Sequence, residues 1–303
     1  MIKHQETTIY IVFPVHNRID ETKLFLQSLA AQTVSNYKVV ICDDGSTDGT
    51  AEYLAANHPD VVVVKGNGHL WWTAGINKCI RYVLSVCNES DFILTLNNDA
   101  QLPETYLEHK LARAANYPNA IIGSLCLYAD NTDLIETSGY IMDYETCISR
   151  QLNKPGDVRK EQHGGMVRVT HLPGKGVMFP VGVFRDIGLY DEENFPQYHA
   201  DTDLVLRAYK AGYPVYVDYD AVLLSSVNTN NMVLPTHEVT IKGMIKTFIG
   251  PYSMNNIRIR NNFARKHCPG KRIRYLCITY AKIVAGFAVR YVRYKFRRPR
   301  ISG

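Results

Sequence analysis

From Arg258 to its last residue the chain contains no aspartate or glutamate, although Lys and Arg crowd that stretch. The formal net charge of +5 therefore averages a strongly basic tail with a remainder in which acids outnumber Lys and Arg. Other absences narrow the possibilities. The seven cysteines include no CxxC pair and no metal-ligand spacing, and Cys42, Cys79 and Cys126 lie in apolar stretches. That is the pattern of reduced, buried thiols in a cytosolic protein. No Gly-x-x-x-x-Gly-Lys-Ser/Thr segment exists, so a P-loop is excluded; GNGHLWWTAG does not open a first helix as GxGxxG does, which excludes dinucleotide binding. The amino terminus, MIKHQETT, is polar and runs straight into a strand, so no signal peptide is expected. YLCITYAKIVAGFAVRYV, the longest apolar segment near the end, is broken by Lys282 and Arg290 and reads against a transmembrane helix. There is no internal repeat and no low-complexity segment. What remains is an ordinary globular composition, 46% hydrophobic and 21% charged, with room for a sizeable core.

The first half alternates strand and helix patterns. TIYIVF (8–13), YKVVIC (37–42), VVVVK (61–65) and FILTL (92–96) read as strands. Between them lie three amphipathic helices, the third with Ile76, Ile80, Val83, Leu84 and Cys87 on one stripe, and Pro103 opens a further helix toward Tyr117. Such repeats predict right-handed βαβ units around a mostly parallel sheet. After about residue 120 come a strand (AIIGSLCLY), an excursion of hairpins over 129–165 and a Gly-rich segment, HLPGKGVMFP, leading into a short helix. A helix in HADTDLVLRAYKAGY and late strands in PVYVDYDAVLL follow, and from Ile241 the chain reads as basic amphipathic helices.

The strand ends carry the chemistry. They run into PVHNR, DDGSTDGT, GNGHLWWTAGIN and NNDA, and a parallel sheet brings such ends to one edge, where open α/β folds bind ligands. Ser46, Thr47 or Asp48 caps the next helix; Asp43 and Asp44 serve caps and turns as well, or Asp44 accepts from the N3–H of a uracil or from a ribose hydroxyl. Asp99, flanked by amides, is either a solvated loop acid or a ligand for a hard divalent cation bridging a diphosphate. Trp71 and Trp72, the only tryptophans, either wall a sugar pocket or fill the core.

IVFPVHN, VVICDDGSTDGT, the GN…G.N stretch, LTLNNDA and ADTDLVLRAYKAGY, in that order over about residues 8–225, resemble family 2 glycosyltransferases of the GT-A fold. The resemblance implies a Rossmann-like, mostly parallel sheet flanked by helices, and transfer of a sugar, usually with inversion, from a nucleotide sugar to an acceptor hydroxyl with Mg²⁺ or Mn²⁺. Pro14 and Asn17 match the loop lining nucleobase and ribose, and Asp44 the acid that holds the base. Asn97-Asn98-Asp99 occupies the Asp-x-Asp place: Asp99 is the implied metal ligand, and Asn97, a departure from Asp, reaches ribose or phosphate. Asp201 matches the catalytic base, with Ala200 where many members have Glu. Trp71, Trp72, Asn77, Lys175 and Asp203 are assigned to the sugar or acceptor pocket, Lys175 meeting a phosphate; Asp203 also fits a helix-dipole acid. Many relatives carry a metal-binding His after the last strands, where this chain has LLSSVNTNN; His199 or His237 are substitutes or plain surface residues.

The expected division is a catalytic domain over 1–240, with a nucleotide-binding half (1–120) and an acceptor-binding half (121–240), and a basic helical extension over 241–303. The donor expected is a UDP- or dTDP-linked sugar, and the acceptor a saccharide, lipid-linked in cell-surface polysaccharide synthesis. The basic tail, with Leu276, Ile278, Ile283, Val284, Phe287 and Val289 between its charges, predicts peripheral contact with the cytoplasmic face of a membrane, or packing on protein, and no nucleic-acid partner. Two rivals remain: a sugar-1-phosphate nucleotidyltransferase, which FPVHNR disfavours by lacking glycines, and a non-catalytic carbohydrate-binding protein with no need of Asp201.

Overall fold

The computed structural model describes residues 7–160, 164–226, 240–250 and 253–296. β-Branched runs build the sheet centre. β1 (Ile9–Val15), β2 (Tyr37–Asp43), β3 (Val62–Lys65) and β4 (Phe92–Thr95) are parallel, and β1 lies between β2 and β4. Ile9, Ile11, Val12 and Phe13 are all fully buried because β1 is covered on both faces. The intervening helices α1 (Ile19–Ala30), α2 (Thr50–Asn57) and α3 (Trp71–Val86) present one apolar stripe each. In α3 that stripe is Ile76, Ile80 and Val83, all at 0% exposure, each burial contributing about 1.5–3 kcal/mol. After the short β5 (Ala100–Gln101), α4 runs from Tyr106 to Asn116, three residues later than Pro103.

The second half extends the same sheet. β6 (Ile121–Tyr128) and the long β12 (Val215–Ser225) are parallel to each other, and β11 (Val177–Pro180) runs antiparallel between β4 and β6. The sheet order is β10-β12-β6-β11-β4-β1-β2-β3, with β5 on β12 and β7 (Asn131–Thr137) on β6; β10 spans Met166–Arg168. β8 (Tyr140–Asp143) and β9 (Ile148–Gln151) form the expected hairpin. Two details differ from the sequence expectation. VMFP leads into α5 (Val181–Ile187) as expected but is itself a central strand with all four residues buried, and PVYVDYDAVLL is one strand with an irregularity between Asp218 and Val222 rather than several. The helix α6 (Ala200–Lys210) buries Leu204, Leu206 and Ala208.

Residues 1–142 and 149–227 form one compact unit; 143–148 and 228–303 form a second. The second contains α7 (Ile241–Ile249), α8 (Ile257–His267) and α9 (Arg272–Phe296). Phe263 of α8 meets Tyr275 of α9 at 5.9 Å between ring centroids, and Phe248 of α7 meets Tyr280 of α9 at 5.5 Å. α9 contains Lys282 and Arg290. Among the described residues it is the one helix long and apolar enough to cross a membrane, by length and composition, and little of it is buried.

Candidate active site

The carboxyl ends of β1, β2, β3, β4, β6 and β12 share one edge of the sheet, and the Gly174–Gly176 turn enters β11 at that same edge. Ladder bonding stops there, so backbone amides need side-chain acceptors. The loop after β1 is tied to the loop after β2. His16 Nδ1 bonds the Asp44 carbonyl at 2.7 Å, and Asn17 Oδ1 accepts from the Thr47 amide at 2.7 Å. Asn17 itself has φ +51°, a left-handed conformation that Asn tolerates. Pro14 lies against α3 at Gly75, where a Cβ would fall 2.8 Å from the proline ring carbon. Asp43 accepts from the Ser46 amide, and Asp48 accepts from the first amides of both α1 and α2, Ile19 and Thr50. The Thr50 hydroxyl, also bonded to Asp48, holds its carboxyl below the usual range.

Asp44 is only 6% exposed and organises the loop after β3. Its Oδ1 accepts from the Asn67 and Gly68 amides at 3.1 and 2.8 Å, and its Oδ2 from the Leu70 amide at 2.8 Å. Gly66 is obligatory beside it: a Cβ there would sit 2.4 Å from Asp44 Oδ1. A carboxylate offers about four acceptor positions, so these three amides leave one over on Asp44 Oδ2.

At the end of β4 the three polar residues part company. Asn98 is buried and bonds Thr22 Oγ1 at 3.0 Å. Asn97 Oδ1 accepts from the Trp72 indole at 2.9 Å. Asp99 Oδ1 is buried with no hydrogen-bond partner, an arrangement that costs free energy until a cation or donor meets it. Among the described residues no three His, Cys, Asp or Glu cluster as a metal site. A hard divalent cation nevertheless fits Asp99, because such ions are commonly held by one or two carboxylates, water and substrate phosphates. His199 is the α6 N-cap with φ +69°, and His237 lies outside the described residues, as does the LLSSVNTNN stretch beyond Ser226.

Trp72 joins two ends of the site. Its ring meets Tyr190 edge-on at 5.4 Å, and its backbone amide bonds Gln197. Thr73 bonds the carbonyls of Phe195 and Pro196, so the first turn of α3 seats the 190–197 segment that leads into α6. Trp71, at φ +61°, begins that turn. Both tryptophans are half-buried. Asn77 is 1% exposed and saturated by the backbone of Tyr190 and by Glu192, which makes it a clamp on this segment rather than a pocket residue. Asp203 is likewise withdrawn: it is fully buried and pairs with Arg207 at 2.9 Å, and Arg207 in turn holds the Ile187 and Leu189 carbonyls.

Asp201 stands at the first turn of α6 with its Oδ1 accepting from the Thr202 amide at 2.8 Å. Gly174 lies beside it; a Cβ there would be 3.3 Å from Asp201 Oδ2. Burial raises the Asp201 carboxyl above its ordinary range even though part of the residue reaches solvent. Lys175 sits between Glu136 Oε1, at 3.0 Å, and Ser225 Oγ, at 2.5 Å. Burial opposes its charge, but Cys126, Glu136 and Asp99 outweigh it and hold Lys175 above the usual lysine range. Sequence reasoning missed Glu136 and Ser225, since each is an ordinary polar position in a strand. It also missed Lys110, which is fully buried and donates to the carbonyls of Ile122, Gly123 and Gly176 at 3.0, 3.0 and 3.2 Å. Ser124 Oγ donates to the same Gly176 carbonyl, and Tyr106 bonds Ser124, so a polar network underlies the turn that carries Lys175.

The sequence profile of Glycosyl transferase family 2 matches residues 10–188. The chain is 26% identical over 216 residues to the succinoglycan biosynthesis protein ExoA of Rhizobium meliloti, covering 70% of this chain and 61% of that protein. It is 24% identical over 224 residues to N-acetylglucosaminyl-diphospho-decaprenol L-rhamnosyltransferase of Mycobacterium tuberculosis, covering 66% of this chain and 70% of that enzyme. Among solved structures, that of GalNAc-T7 with UDP, GalNAc and Mn²⁺ superimposes with a TM-score of 0.57 at 14% identity, covering 73% of this chain and 44% of the other. The chain thus spans less than two thirds of ExoA and less than half of GalNAc-T7. The structural likeness establishes a GT-A fold.

Proposed function

The chain belongs to glycosyl transferase family 2 and is a glycosyltransferase, and from that premise we propose that it transfers a sugar, with inversion, from a UDP- or dTDP-linked donor to a saccharide hydroxyl. The acceptor in this reading is a lipid-linked saccharide of cell-surface polysaccharide synthesis, met at the cytoplasmic face of the membrane. The names of the Rhizobium and Mycobacterium relatives support that setting. We keep residues 1–120 as the nucleotide-binding half, 121–240 as the acceptor-binding half and 241–303 as the basic extension.

The observation that carries the reading is the buried, unpartnered Oδ1 of Asp99 at the end of β4. Asp99 would hold Mg²⁺ or Mn²⁺, and the metal, when bound, supplies charge neutralisation for a diphosphate leaving group. Pro14 and Asn17 line the nucleoside, and the free acceptor position of Asp44 takes a base N–H or a ribose hydroxyl. Asn97 Oδ1 is engaged by Trp72, which leaves the amide N–H₂ to donate to ribose or phosphate. Lys175, kept protonated, adds a fixed positive charge within electrostatic reach of Asp99. Asp201 takes the acceptor proton as the hydroxyl oxygen attacks the anomeric carbon; the bond from that carbon to the diphosphate oxygen breaks, and the diphosphate leaves with the electron pair. A raised carboxyl pKa suits this role, since a base works best with its pKa near the operating pH.

The test is hydrolysis and transfer with a panel of nucleotide sugars, in Mg²⁺, in Mn²⁺ and in chelator. Metal-dependent release of the nucleoside diphosphate from one donor is expected. Release of pyrophosphate from a nucleoside triphosphate and a sugar phosphate would instead favour a nucleotidyltransferase. Donor binding without turnover, unaffected by Asp201→Asn, would favour a binding protein. Asp99→Asn should abolish most of the metal-dependent turnover and leave the melting temperature no lower; near-normal turnover at saturating donor would overturn the assignment of Asp99.

A further inference from the structure

In α7, Ile241, Ile245 and Ile249 follow one another at four-residue spacing and stand 64%, 50% and 67% exposed. This inverts the usual plan, in which a helix turns its largest aliphatic side chains inward. The inward face is already made by others: Gly243, Met244, Thr247 and Phe248 are half-buried, and Phe248 rests edge-on against Tyr280 of α9. The isoleucines therefore do not hold the helix in place. Its first turn is secured separately by Thr240, whose hydroxyl accepts from the Gly243 amide at 3.0 Å. Beside the stripe stand Lys242 and Lys246, both exposed. No acid follows Glu238 in the chain, while sixteen of its 34 Lys and Arg do.

We propose that α7 is an in-plane membrane anchor, its three isoleucines entering the acyl boundary of an anionic lipid surface while Lys242 and Lys246 reach the headgroups. The proposal deepens the membrane setting given under Proposed function and rests on it. The geometry selects lipid by charge and shape. The convex side of a nine-residue helix offers aliphatic groups but no pocket, which is what a fluid surface accepts. Cationic flanks oppose insertion next to other basic surfaces and favour anionic headgroups, each contributing within a Debye length of the surface.

The experiment uses the full chain with two kinds of vesicle: phosphatidylcholine alone, and an equimolar mixture with phosphatidylglycerol. Pelleting with vesicles is compared for the parent and for the triple variant Ile241→Ser, Ile245→Ser, Ile249→Ser, whose exposed positions leave packing intact. Circular dichroism and turnover on a soluble acceptor check the fold of each. Expected is binding of the parent to the anionic vesicles and about tenfold weaker binding by the triple variant, because affinity scales with the apolar area inserted. In a second measurement, Ile245→Trp should shift its emission to the blue on anionic vesicles and be quenched by acyl-brominated lipid. If parent and triple variant bind anionic vesicles equally, the anchor is not α7, and the wider reading of a membrane-bound tail stands. If the parent binds neither vesicle, both fall. Concentration-dependent dimerisation of the parent that the serines abolish, without vesicle binding, would assign the stripe to a second copy of the chain and overturn the proposal.

Discussion

Removing the charge of Asp201 separates a catalytic acid from a structural one. Burial raises its carboxyl pKa in the folded chain, so between the unfolded value of 3.8 and that raised value the folded state binds more protons than the unfolded. Stability therefore falls as pH rises through that window, and above it the ionised group is a standing cost. Asp201→Asn should raise the melting temperature at neutral pH while lowering turnover by roughly 10²–10⁴-fold, the usual worth of a positioned base. The same shift sets the pH profile: kcat/KM of the parent should fall on the acid side at a pH above 3.8, where the group protonates. Calorimetry and a pH–rate series check both, and a lower melting temperature with unchanged turnover would make Asp201 a helix-end residue only. Asp44 behaves oppositely. It accepts three amides, so Asp44→Ala should cost about 1–3 kcal/mol for each amide left without a partner or water, read as a lower denaturation midpoint. The positions of Asp44 and Asp99 after buried strands and of Asp201 at a helix start were legible in the sequence; the roles proposed for them came through the family resemblance. The sequence could not show that Asn77 and Asp203 are spent on Tyr190, Glu192 and Arg207, since those partners are distant in sequence or ordinary in type.

Strands and helices with a clear period were readable, and elements defined by their neighbours were not. β1 to β4 and α1 to α3 carry continuous apolar runs or stripes and fall within a few residues of the expected positions. β11 has four residues, no alternation and a proline at its end, so nothing local distinguishes it from a loop; only the gap between β4 and β6 makes it a strand. The turn that feeds it is held from below by Lys110, whose meaning is equally non-local. Burial pulls the Lys110 pKa down to about 7, from 10.5 in an unfolded chain. From about pH 7 to 10.5 the unfolded chain binds the proton that the folded chain has shed, so this residue makes stability rise with pH over that window. Lys110→Met should remove that rise and also raise KM or lower kcat, because Gly176 loses a donor and the Gly174–Lys175 turn loosens. Thermal melts across the alkaline range, compared between parent and variant, decide it; identical slopes would mean that Lys110 titrates as an ordinary lysine.

For the whole molecule the informative quantity is how charge divides along the chain. All 29 acids precede Val239, and the tail after them is uniformly basic, so an anionic surface attracts one end of the chain while the other resists it. α9 complicates this division. It is 25 residues long, and its apolar content meets the requirement for spanning, yet Lys282 and Arg290 lie within the apolar part. A charged side chain at the centre of a bilayer costs about 2.5–3.5 kcal/mol on insertion scales, whereas at an interface the same Lys and Arg gain from anionic lipid. The balance favours α9 lying along the surface, in the same plane proposed for α7. On that account the full-length chain, collected with cell membranes, should be released by high salt or by alkaline carbonate, and its vesicle binding should weaken steeply as ionic strength rises toward a Debye length of about 3 Å near 1 M salt. A chain that resists both washes and comes free only in detergent would place α9 across the bilayer and overturn the surface-bound arrangement.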